Sequence, residues 1–213
     1  MRRATAPDAR QAGFPLLLEE ADQVNRKRAF ARATAHLPGT MPEGIAWYRR
    51  LLERHHDAML AGDEREAKRL QGEACLLAQK LNGGQRDYLA DDDAPGCVLQ
   101  RAAAAAPDTV PLWGQGGSFL VEACGMRVRI ETRGLFGVCG PGSFNAQAVD
   151  PDRPFLSPTG FRSFIGYGPG AKAGLTVDAY ARQVIERHVA AELRGRLLPI
   201  DPDYRARLQG EAS

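Results

Sequence analysis

Between Thr40 and Gly84 the chain encodes two helices back to back, and no other stretch limits its fold so strongly. Thr40-Met41-Pro42-Glu43 fits a capping box: a hydroxyl at the N-cap, a proline in the first turn and a carboxylate three residues on. Ile45, Tyr48, Leu52, His55 and Met59 then recur at helical spacing, supported by Leu51. Gly62 stops that pattern, and Asp63 with Glu66 opens the next one at once. Ala67, Leu70, Ala74, Leu77 and Leu81 make the second apolar stripe, which Asn82-Gly83-Gly84 ends. Two helices joined this closely fold back on each other as an antiparallel hairpin. The hairpin is also a candidate surface for self-association.

The second constraint lies downstream. Residues 118–123 and 126–131 both alternate apolar with polar, and Cys124-Gly125 supplies a two-residue turn between them. Pairing across that turn sets Phe119 against Ile130, Val121 against Val128 and Ala123 against Met126, which makes one apolar face. The same register sets Glu122 against Arg127 on the other face. A slip of one residue would send the arginines into the core. Residues 135–139 read as a third strand and 144–149 as a fourth. A short helix is expected to open near Ser157 or Thr159, and Thr176 caps a last helix to about residue 195. The remainder, through Pro199 and Pro202, reads as a trailing segment. Helices, then a strand meander, then a helix specify an α+β fold with an antiparallel sheet. Residues 1–39 read as a weakly ordered or partly helical arm, and 40–213 as one α+β domain with its sheet region at 110–150.

The 213 residues carry a net charge of +2, which is not the footprint of a strong nucleic-acid binder. Of the 28 basic residues 24 are arginine, so any anion recognition here would use planar forks of donors. No apolar run reaches the length of a membrane span, and Phe14–Leu18 is too short for a secretory core, so the expectation is a cytoplasmic protein. Cys75, Cys97, Cys124 and Cys139 contain no closely spaced pair, which argues against structural zinc and for buried free thiols.

Few residue groups point to chemistry. His55 and His56 are adjacent on a helix, so their side chains diverge by about 100° and do not share a ligand. His55 is expected at the hairpin seam and His56 in solvent. Cys139 and His188 form the one conceivable nucleophile and base pair, for an enzyme acting on a small or nucleotide-like substrate. The glycines between Gly166 and Gly174 fail the phosphate-loop pattern, because Ala173 follows Lys172 where a hydroxyl is required, and read as a linker. No metal or cofactor is expected. The best-supported patch is a sheet surface with Arg127, Arg129, Arg133 and Arg162 for binding and Trp113 or Phe161 for stacking.

Five stretches, Trp47–His56, Leu76–Gly84, Asp93–Cys97, Pro111–Gly114 and Phe155–Phe164, together resemble a family of uncharacterised proteins encoded on bacterial plasmids and integrative elements. The resemblance runs from about residue 40 onward. It implies a bacterial accessory protein of a mobile element, and it brings no catalytic residue with it. The combined expectation is a non-enzymatic protein that binds a macromolecule: a DNA-processing protein, a nucleic acid or a host defence factor.

Overall fold

The computed structural model describes residues 9–136, 142–165 and 174–210. The chain divides into two compact units, Met1–Pro38 and Gly39–Ser213. The first unit holds one long helix, α1 (Ala9–Ala33).

In the second unit the hairpin is formed by α2 (Met41–Ala61) and α3 (Glu64–Leu81). Asp63 caps α3 by accepting the Glu66 N–H at 3.0 Å. At the head of α2 the capping box closes differently. The Thr40 hydroxyl donates to the Glu43 carboxylate at 2.7 Å and makes no bond to the backbone. Arg54 reaches Glu66 across the turn at 3.3 Å, as antiparallel neighbours should. The two stripes are spent inside this unit: Tyr48, Leu51, Leu52, Ala58, Leu70, Ala74 and Leu77 are buried. A short α4 (Pro95–Ala102) packs on both helices and buries Leu99.

A four-stranded antiparallel meander follows, ordered β1 (Gly116–Ala123), β2 (Met126–Arg133), β3 (Phe144–Ala148) and β4 (Phe161–Phe164). The β1–β2 register is the expected one at every pair from Ala123 with Met126 to Phe119 with Ile130. Cys124 and Gly125 both have positive φ, 50° and 76°, the geometry of the turn that matches strand twist. The apolar side of the sheet meets α5 (Val177–Ala191), whose Val177, Tyr180, Ala181, Val184, Ile185 and Val189 complete the core.

Three expectations are corrected. Leu135 and Phe136 leave the sheet as a turn: Phe136 stacks on Tyr48 at 5.5 Å and the Leu135 carbonyl accepts from Gln71, so both fill the helical layer. The rest of that expected strand lies outside the described residues. Ser157 and Thr159 open no helix; the Ser157 hydroxyl bonds the Phe161 backbone, and the chain enters β4. The trailing segment contains α6 (Pro202–Gly210), begun by a proline that suits the first helical position.

Candidate interaction surface

The pairing registers assemble the solvent side of the sheet into rows. One row runs Leu120, Arg129, Gln147, Phe161 from β1 to β4. The next runs Ser118, Glu131, Asn145, Ser163. Leu120 and Phe161 are each 45% exposed, so apolar side chains end the first row at both edges of the sheet. Three strand spacings separate them, about 14 Å. The second row is a hydrogen-bonded ladder: Ser163 donates to Asn145 at 2.8 Å, and Asn145 donates to Glu131 at 3.3 Å.

Two arginines of this face, Arg127 and Arg129, are already engaged. Arg127 forks onto Asp150, with Nε at 3.0 Å from one oxygen and Nη2 on the other. That hydrogen bond, with the adjacent charge, holds the Asp150 carboxyl below its usual range. Arg129 lies 3.3 Å from Asp108. Arg133 is exposed at the far end of β2, on the rim of a cavity of about 230 Å³ lined by Trp113, Phe144, Phe164, Val177 and Tyr180.

Two expected members do not belong here. Arg162 pairs with Ala146, a core-facing position, so it projects from the α5 side of the edge strand, away from Arg127 and Arg129. Trp113 is 2% exposed and has no free face to stack on a ligand. Its indole N–H donates to the Leu175 carbonyl at 2.6 Å, and its ring meets Tyr180 edge-on. The adjacent histidines grip its main chain. His55 Nδ1 donates to the Trp113 carbonyl at 2.9 Å, and His56 Nδ1 accepts the Trp113 N–H at 3.1 Å. Their divergence, which rules out a shared ligand, suits the two ends of one residue. His56 is therefore half-buried and bonded, not solvated.

Cys139 lies outside the described residues, as do residues 166–173 of the glycine-rich stretch. His188 is 6% exposed on α5 with its ring edge-on to Phe164 at 5.4 Å. Burial, then the charge of Arg162, pushes its pKa below the ordinary value, while Glu192 pulls the other way. Among the described residues its Nε2 has no hydrogen-bond partner. Cys75 and Cys97 are half-buried, but Cys124 is exposed at the hairpin turn, contrary to the expectation of buried thiols. Burial and the nearby Glu186 push the Cys124 thiol pKa up, the wrong direction for a nucleophile. Among the described residues no three metal-ligating side chains converge.

Sequence reasoning missed Leu120, although it is an apolar residue at a position the alternation assigns to the polar face. It named Phe161 as a stacking residue of this surface but not as the end of a row, because β4 itself was not legible.

The chain is 41% identical over 152 residues to a protein named Protein KlcB from Escherichia coli, covering 71% of this chain and 34% of that protein. A second Escherichia coli protein of that name is 37% identical over 157 residues, covering 73% of this chain and 32% of the relative. The chain thus spans about a third of the length of the curated relatives it matches. No family model matches it, and no solved structure does. Its relatives are bacterial, and the name they carry states no activity.

Proposed function

We propose that this chain is a non-enzymatic accessory protein of a bacterial mobile element, acting in the cytoplasm by docking another protein on the solvent side of its sheet. One observation carries the reading: the row Leu120, Arg129, Gln147, Phe161 ends in two half-exposed apolar side chains on a face that, among the described residues, no helix of the second unit uses as core. Paired apolar anchors with polar groups between them suit a protein surface with an apolar centre and a mixed-charge rim. The charge pattern disfavours a polyanion. Arg127 and Arg129 are matched by Asp150 and Asp108, and Glu122 and Glu131 share the face. A nucleic acid would have to displace those carboxylates before gaining phosphate contacts. The bacterial relatives fit this setting, and no helix among the described residues is long and apolar enough to cross a membrane.

The test compares the full chain with a Leu120→Asp, Phe161→Asp double variant as bait in nuclease-treated bacterial lysate. Both positions are half-exposed, so the variant should still fold, as a cooperative thermal transition would show. A protein held by the parent chain and lost about tenfold or more by the variant is expected, since burying a charge at an anchor costs more than 1.4 kcal/mol. Equal capture by both baits or an empty capture would overturn the reading.

A further inference from the structure

We infer that the C-terminal half of α1 is a binding element for the backbone of duplex nucleic acid. From residue 23 to residue 42 the chain carries Arg26, Lys27, Arg28 and Arg32 and not one carboxylate. All four are exposed. Elsewhere Arg54, Arg69, Arg127, Arg129 and Arg205 each sit against an aspartate or glutamate, and what sets the α1 group apart is four cations clustered within seven residues. No ion pair joins any of the four on α1 to a carboxylate among the described residues; Arg26 bonds only the backbone carbonyl of Asp22 within its own helix, at 3.3 Å. The acidic residues of α1, Glu19, Glu20 and Asp22, all precede Arg26, so charge is segregated along the axis.

The arrangement around the axis selects the ligand. At 100° per residue, Arg26, Lys27 and Arg28 fan across about 200° of the helix, and Arg32 lies close to Arg28. A flat anionic surface such as a membrane would meet one side only, and it would require an apolar face beside the cations. A groove with phosphates on both walls meets the whole fan. The major groove of a duplex, about 12 Å wide, admits a helix of about 10 to 12 Å diameter. Ala29 and Ala31 are the exposed residues between Arg28 and Arg32 and keep this stretch narrow. From Arg26 to Arg32 the helix rises about 9 Å, a length over which a duplex presents about five backbone charges.

The experiment titrates the full chain into a fluorescent duplex oligonucleotide and follows anisotropy from about 50 to about 200 mM salt. Four phosphate contacts give a slope of log affinity against log salt near −3.6, a loss of about 10²-fold over that range. The variant Arg26→Gln, Lys27→Gln, Arg28→Gln, Arg32→Gln keeps good helix formers, and its far-UV circular dichroism should match the parent's. It should bind at least about tenfold more weakly at the lowest salt, with a slope shallower by about 3.6. A parent chain that does not bind at about 50 mM salt, or a variant with unchanged affinity and slope, would overturn the inference. So would retention on phosphatidylserine vesicles as strong as on the duplex.

Discussion

At the scale of single residues, the histidines divide by the partners their nitrogens find. His55 and His56 are fixed by one donor and one acceptor of the same peptide segment, and each bond specifies a tautomer: Nδ1–H in His55, Nε2–H in neutral His56. His188 has neither arrangement. Its ring is buried against Phe164, with Arg162 adding positive charge and Glu192 offsetting part of it. A pKa depressed in the folded state means that the unfolded chain binds more protons between that value and the ordinary 6.5. Stability from this group is therefore complete above about pH 6.5 and is lost as pH falls towards the folded pKa. The urea midpoint should drop between about pH 7.5 and pH 5.5 in the parent chain, and it should drop less in His188→Leu, which has no imidazole to charge. Parallel pH curves for the two proteins would show that the ring is protonated in the fold without penalty.

At the scale of elements, the two glycine turns that bracket β1 make opposite demands. Gly125 ends the hairpin with φ 76° and open space where a Cβ would sit. Gly114 has φ 87°, and there a Cβ would stand 2.6 Å from Leu135 Cδ2 and 3.1 Å from His55 Nδ1. Gly125→Ala should cost only the left-handed backbone strain, about 1 to 2 kcal/mol. Gly114→Ala adds a clash with buried atoms and loosens the His55 bond to Trp113, so its loss in chemical denaturation should be larger by about 1 to 3 kcal/mol. Equal losses would mean that the Trp113 segment is free to shift. The same contrast explains what the sequence makes legible. The hairpin register is readable because alternation and a two-residue turn constrain the same pairing from two sides. β4 is four residues long, and its hydroxyls at Ser157 and Thr159 mimic a helix cap while in fact closing a turn onto Phe161. Leu135 and Phe136 carry strand-like composition but are claimed by the helical layer, a competition between cores that only tertiary structure decides. The arginine patch was legible as a list of residues. Its partial neutralisation by Glu122 and Glu131 was legible from the register, but its ion-pair partners Asp108 and Asp150 were not, because they reach it from loops 21 and 23 residues away.

At the scale of the whole molecule, the two proposed surfaces lie on different compact units, α1 in Met1–Pro38 and the sheet in Gly39–Ser213. The charges follow the same division. The second unit matches Arg127 and Arg129 of its sheet with its own Asp150 and Asp108, whereas the basic half of α1 leaves four cations for an external partner. A net charge of +2 conceals this asymmetry, since acidic residues elsewhere cancel the cations in the sum but not in space. Surfaces with no shared residues act additively, typically within about 0.5 kcal/mol. Leu120→Asp, Phe161→Asp should therefore abolish protein capture while duplex affinity stays within about twofold of the parent's, the size of that coupling. The four-glutamine variant of α1 should show the reverse. A variant on one unit that disables both activities would show that the two surfaces serve a single partner, and the protein would then be a one-ligand module instead of a bridge between a nucleic acid and a protein.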